Sequence, residues 1–357
     1  MNLKNSLSFT KNEFLTGILV FCLIFLITLG SRQLRLSSTG AIQVNSQISL
    51  KISDRIGLTE LINRLDSLDV EYQQDELLWS ARMLGWRMFQ KGNYSLDGNY
   101  SYDVFLSKLA RGIQDPVSVV ILPGTNIQRF SETVGSQLSI TESEIQSIFR
   151  DSVFLEEVEL SSDELFGRML PETYLVYWTS TSKDLVRRIL REFDDKVVNE
   201  FETVANEQNL TINEILTMAS IVEWEANIEE EKPIISGLYW NRINKGMRLQ
   251  ADPTINFALG ERRRLLFEDY QFDHPYNTYL KKGLPPGPIT NPSFSTIEAT
   301  IFPQQHDFIY MVANPEGGHV FTRTFEEHQI ESEKWRVWLR QQYRIKRQKE
   351  TEEALNN

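Results

Sequence analysis

The sequence predicts an α+β protein: a single N-terminal transmembrane helix, a small α+β domain, and then a larger mixed domain. Three observations lead there. The run "FLTGILVFCLIFLITLG" (residues 14–30) is uncharged and just long enough to reach across a bilayer core. Between Ile48 and Leu122, strand-like alternation is interleaved with helical spacing of apolar residues. From Pro123 onward a longer block carries several helix signatures and a loop dense in Pro, Gly, Tyr and Asn.

The apolar run admits two readings, a cleaved signal peptide and a retained anchor. The residues after it, "TLGSRQLRL", offer a poor small-x-small cleavage site, so the anchor is expected. Lys4 and Lys11 before it and Arg32 and Arg35 after it nearly tie, so charge does not orient it. The organisation expected is a cytoplasmic N-terminus (1–13), the transmembrane helix (14–30), a polar linker (31–47), a first domain (48–122), a second domain (123–330) and a C-terminal helix and tail (331–357).

Composition narrows the function. The 357-residue chain is 41% hydrophobic and 24% charged, a globular balance, and its net charge of −12 argues against nucleic acid as a partner. Cys22, the one cysteine, lies inside the apolar run, so no internal disulfide, thiolate cluster or catalytic thiol is expected. The four histidines, His274, His306, His319 and His328, include no pair at HExxH spacing. Neither a metal nor another cofactor is expected.

In the first domain "ISLKI" alternates as a strand, and Leu58, Leu61, Ile62 and Leu65 share a helical face. "SYDVFLSKLARG" reads as a helix closed by Gly112, and "VSVVIL" as a buried strand. The second domain should hold helices near 130–138 and 141–150, the segment "LPETYLVYW", and a long amphipathic helix from Lys183 to about Ala205. In the tail, Trp335 and Trp338 should dock a solvated helix on the domain.

The chemistry concentrates on "TINEILTMASIVEWEA". Thr211 and Glu214 form a capping box. At 100° per residue, Ile212, Ile215, Leu216, Ala219, Val222 and Ala226 make one apolar face, and Glu223 falls within it. Glu225 falls outside it, beside Glu214 and Met218. An inward carboxylate is costly unless paired or neutral. One reading is therefore a buried ion pair, with Arg242 as partner. The other is a carboxylic acid kept protonated by its surroundings, a proton donor near neutral pH. The sequence that follows favours the second. Aromatic rings and neutral amides gathered near one buried acid, as in "HPYNTYLKKGLPPGPITNP", suit a carbohydrate cleft.

Five ordered blocks, "ASIVEWE", "YWNRINKGMRLQADPT", "YNTY", "GLPPGPI" and "GGHVFTRTFEEH", resemble the YceG-like (MltG) endolytic murein transglycosylases of bacteria. Upstream, "GNYSL…LARG" with "ILPGT" is similar to that family's LysM-like domain, and "LPETY" to its "FPDTY" element. Trp224 stands where the family commonly has lysine, and "FGRMLPETY" lacks its Glu-Gly-Tyr lead-in. The resemblance implies a lytic transglycosylase with Glu223 as catalytic acid/base. Such an enzyme cleaves the β-1,4 bond between N-acetylmuramic acid and N-acetylglucosamine and leaves 1,6-anhydro ends. One carboxylate suffices because the muramoyl C6 hydroxyl is an internal nucleophile, in contrast to two-carboxylate glycosidases. Asn241, Gln250, Thr254, Tyr276, Asn277 and Thr278 are candidates for the neutral substrate shell, with Arg242 and His319 as further substrate contacts. Asp252 and Glu225 are the alternatives for a second carboxylate, with Asp252 read as an N-cap and Glu225 as an orienting or solvated group. The resemblance also implies a single-pass protein of the bacterial cytoplasmic membrane with its body outside. Its partners would be peptidoglycan strands and glycan-polymerising proteins. The rival readings are a muramidase-type hydrolase and a non-catalytic wall-binding scaffold.

Overall fold

The computed structural model describes residues 10–355; the expected cytoplasmic stretch up to Phe9, with Lys4, and the last two residues of the tail lie outside them. The architecture is mixed α+β, and the chain divides into two compact units. The first runs up to Val117 and takes in Tyr177–Thr179; the second holds Ser118–Val176 and everything from Ser180.

Among the described residues one helix, Lys11–Leu36, is long and apolar enough to cross a membrane. Thr10 caps it in a capping box with Glu13. Its 26 residues span about 39 Å, and apolar side chains such as Phe21 and Leu26 stand mostly uncovered, at 69% and 64% exposed. The helix outruns the expected 14–30 at both ends. The residues expected as a linker, 31–47, are instead its last turn and a five-residue turn leading into the strand Ile42–Ile52. The cause is local packing. Leu36 is buried, Arg35 holds Glu76 through two hydrogen bonds of 2.6 and 3.0 Å, and its guanidinium lies 4.0 Å over the Trp79 ring.

Ile42–Ile52 pairs antiparallel with Gly92–Tyr100, from Ile42 opposite Tyr100 to Ile52 opposite Gly92, and on its other edge with Glu71–Tyr72. Ile42, Val44, Leu50 and Ile52 point to one core, so alternation begins six residues before "ISLKI". Leu61 and Leu65 of helix Leu58–Ser67, Leu77 of Gln74–Leu84, and Phe105, Leu106 and Leu109 of Tyr102–Arg111 complete that core. Gly112 closes the last helix at φ 71°. "VSVVIL" is not a buried strand. Its first four residues lie in the strand Pro116–Val120, which forms a two-stranded sheet with Thr173–Tyr177, and within that strand only Val119 is buried.

In the second unit the long helix near Lys183–Ala205 is Ser182–Phe193 and Asn199–Glu207, joined through a π-helical turn at Asp194–Val198. The helix that positions the site, Ile212–Glu225, begins at the Thr211–Glu214 capping box. It is not amphipathic: Ile215 through Val222 are all buried. Ile215, Leu216 and Ala219 join a cluster with Phe193, Phe201 and Ile297. Met218, Ile221 and Val222 join a second cluster with Leu238, Tyr239 and Leu249. A helix apolar all round is a central one, and this one separates two cores.

Helix Lys232–Asn244 packs beside it, and Gly237 is where that helix meets the segment around Gln304. A Cβ there would stand 2.4 Å from the Gln304 carbonyl oxygen, a backbone atom that cannot rotate away. Gly237→Ala is therefore expected to destabilise the second unit by roughly 1–3 kcal/mol, read as a lower denaturant midpoint at unchanged slope. The C-terminal portion is a hairpin, Tyr310–Ala313 with His319–Thr322, and the helix Phe325–Leu355, on which Trp335 and Trp338 stack on each other at 4.8 Å.

Candidate active site

The two glutamates that end the central helix go to different places. Glu223 meets the start of helix Phe294–Ile301. Its Oε2 accepts from the Ser293 backbone N–H at 3.0 Å, from Ser293 Oγ at 2.8 Å and from Thr296 Oγ1. Ser293 is that helix's N-cap, so the carboxylate sits where the helix dipole is positive. Buried Lys232 places its Nζ 3.7 Å from the same oxygen and 2.6 Å from exposed Glu229. The Glu223 side chain is 9% exposed. Its ionic neighbour is Lys232, not the Arg242 considered from sequence.

Glu225 lies toward the second core. With Tyr239, Arg242, Gln250, Asp252, Tyr279 and His319 it lines a cavity of about 220 Å³, closed on one side by hairpin residues Met311–Ala313. The Tyr239 hydroxyl donates to Glu225 Oε1 at 2.9 Å. Burial, with the Asp252 charge adding, pushes the Glu225 carboxyl up to about 7, against the Tyr239 hydrogen bond and the charges of His319 and Arg242. The side read from sequence as flanking is thus a second buried face that opens into a concavity.

The other cavity residues are each positioned by bonds that leave the space open. Arg242, buried in helix Lys232–Asn244, donates from Nε to Ile309 O at 2.7 Å and from Nη1 to Leu249 O, which ties the hairpin and the Leu249 turn to the helix. Gln250 has φ 51°, a left-handed conformation rare for a residue with a side chain, and its N–H donates to Thr278 O at 3.2 Å. Asp252 is the first residue of helix Asp252–Leu259 rather than its N-cap, which is Ala251. Its carboxylate accepts from Tyr279 at 2.7 Å and Tyr270 at 3.4 Å. His319 holds Glu231 through its backbone N–H at 2.7 Å and through Nδ1 at 2.8 Å.

Five sequence candidates brace this framework without lining the cavity. Asn241 donates to His306 O and Phe308 O at 2.7 and 3.1 Å. Thr254 and Thr278, both buried, share a 2.9 Å hydroxyl contact, and Thr278 also accepts from the Ala251 N–H at 3.0 Å. Asn277 holds Tyr270 O and Phe272 O, and Tyr276 donates to Asp163 at 2.5 Å. Sequence reasoning passed over Tyr239, Tyr279, Lys232, Ser293 and Thr296. Ser293 carried a signal, because "PSFSTIEA" places a serine before an apolar helix; Tyr239 carried none, since its partner lies on another helix. Among the described residues no three or more His, Cys, Asp or Glu side chains gather closely enough to hold a metal ion.

Known proteins resemble this chain in sequence and in fold. The chain is 26% identical over 305 residues to an endolytic murein transglycosylase of Bacillus subtilis, covering 81% of this chain and 84% of that one. It is 28% identical over 279 residues to the protein of the same name from Streptococcus pneumoniae, covering 69% of this chain and 50% of that one, so it spans about half the length of the streptococcal relative. In fold it is similar to the crystal structure of a YceG-like protein from Listeria monocytogenes, with a TM-score of 0.56, 24% identity, 80% of this chain covered and 99% of that one. The YceG-like family model itself matches residues 50–334, which takes in both glutamates, the cavity and the hairpin that closes it. On that match the chain belongs to the YceG-like family.

Proposed function

We propose that this protein is an endolytic murein transglycosylase whose catalytic acid/base is Glu225, with Glu223 as a structural brace. One observation carries the assignment. Of the two carboxyls, Glu225 is the one that faces an open cavity, is oriented by a neighbouring hydroxyl and is pushed up to about 7. A group there is protonated often enough to donate and ionised often enough to accept. The protonated carboxyl gives its proton to the glycosidic oxygen as the C1–O bond of N-acetylmuramic acid breaks. The resulting carboxylate then takes the C6 hydroxyl proton as O6 bonds to C1. The leaving strand keeps the first proton, Glu225 regains one from O6–H, and no water is consumed. Gln250 and Tyr279, neutral groups on the cavity wall, are suited to bond the sugar hydroxyl and acetamido groups.

Asp252 on the same wall favours a second reading, hydrolysis with a carboxylate-activated water. Two tyrosine hydroxyls already donate to that carboxylate, which disfavours it. Mass spectrometry of strands digested by the protein decides: 1,6-anhydro ends are expected, and reducing ends in their place would make it a muramidase. A wall-binding scaffold would yield neither. Since murein is extracytoplasmic, the apolar Lys11–Leu36 helix is read as a single-pass anchor in the cytoplasmic membrane with both units outside. The first unit, with its strand Gly92–Tyr100 and helix Tyr102–Arg111, is read as the LysM-like glycan-binding part. Glycan-polymerising proteins are the partners that this placement suits.

The ionisation state gives a pH test. Donation needs the protonated carboxyl, so kcat/KM should fall as pH rises through about 7. The Tyr239 hydrogen bond favours the charged form, so Tyr239→Phe should move that alkaline limb to higher pH. A limb that stays in place would separate it from Glu225.

A further inference from the structure

A second cavity, of about 490 Å³, opens on the other flank of the same helix end. We propose that it receives the peptide stem carried by the muramic acid next to the scissile bond, recognised as a short acidic peptide; this rests on the murein reading above. Position is the first argument. Trp224, on this cavity's wall, directly precedes Glu225 on the other, and Asn256 and Phe257 lie about one turn beyond Asp252 on the same helix. Four residues of helix make about 6 Å, so a chain leaving a sugar in the first cavity reaches the second within a few bonds.

Chemistry is the second argument. The floor is apolar, with Trp224, Phe257 and Pro288, and the rim carries the guanidinium groups of Arg129 and Arg262. Arg262 lies 5.1 Å over the Trp224 ring, and among the described residues no carboxylate stands within ion-pair distance of it. Among the described residues Arg129 pairs with Glu132 alone, at 3.4 Å. The carboxylates on the same wall are already engaged, Glu261 by Arg263 at 3.1 Å and Asp163 by Tyr276 at 2.5 Å. Two cations over an apolar floor match a ligand with small apolar side chains and free carboxylates. Murein stems have both, whereas the sugar rings are neutral and their lactyl carboxyl is consumed in the amide to the stem. Trp224 Nε1 donates to Gly124 O at 2.8 Å, which fixes the ring as a flat wall of this second cavity.

The test uses the full-length protein on uncrosslinked strands, either with stems intact or stripped by an amidase. Wild type should show a KM lower on stem-bearing strands by roughly tenfold, the scale of one or two charge-assisted hydrogen bonds at a wet rim. In Arg129→Gln/Arg262→Gln the ratio of the two KM values should collapse toward one. A wild-type ratio of one, or a ratio that survives the double substitution, overturns the proposal. A second arm needs no turnover. A synthetic acidic stem tetrapeptide is titrated by calorimetry into Glu225→Gln and into the same protein with both arginines replaced. Binding to the first and its loss in the second supports the pocket, and equal or absent binding refutes it. If wild type cleaves neither polymer, the transglycosylase reading fails while this titration still decides the pocket.

Discussion

Glu225→Gln is expected to abolish strand cleavage, by at least the ~10²–10⁴-fold that general acid–base catalysis typically supplies, while the melting temperature stays within a few degrees of wild type. The amide keeps the shape of the side chain and can still accept from Tyr239. It has no proton to give the leaving oxygen and cannot later take one from the C6 hydroxyl. Because burial already disfavours the charged form of Glu225, a neutral isostere relieves that cost, so stability should hold or rise slightly. Product formation by chromatography and unfolding by circular dichroism read the two quantities separately. A Glu225→Gln protein that cleaves at the wild-type rate would remove the acid from this cavity altogether.

Glu223→Ala should do the reverse. It deprives the Ser293 N–H and hydroxyl and the Thr296 hydroxyl of their shared acceptor, and removes one of the two carboxylates beside buried Lys232, leaving exposed Glu229 and the Ser293 and Ser295 hydroxyls. Stranding buried donors and weakening the pairing of an ammonium costs on the order of 2–4 kcal/mol, which in a unit of this size lowers the melting temperature by roughly 5–10 °C. Cleavage measured well below the new midpoint should remain within about tenfold of wild type. Wild-type stability with no activity would return the chemistry to Glu223.

How these two residues looked from sequence shows what a single chain makes legible. The capping box at Thr211–Glu214 and the closure at Gly112 depend on near neighbours, and the sequence displays them. A helical wheel assumes one buried face. It correctly placed Glu223 beside Leu216 and Ala219, but the opposite side, with Met218 and Ile221, is buried too, against a helix that starts seven residues after Glu225. Nothing local distinguishes a solvent-facing flank from a second core. The same holds for Asn241, Thr254, Asn277 and Thr278: amides and hydroxyls suit a sugar site and a loop brace equally, and only their partners tell which. The first unit's early strand was missed because the Gly40 turn looked like the middle of a linker.

The tight junction after Leu36 limits where the first unit can travel. A seventeen-residue coil would let it wander through a shell several nanometres deep. Here five residues separate the helix from the strand, about 18 Å at full stretch, and the Arg35–Glu76 clamp with the Trp79 stack removes most of that slack. If the helix is embedded, the first unit keeps a fixed altitude, and tilting the helix tilts the unit with it. On the proposed reading, with that unit outside the membrane and binding glycan, it meets only the layer closest to the bilayer, and wall farther out is beyond its reach.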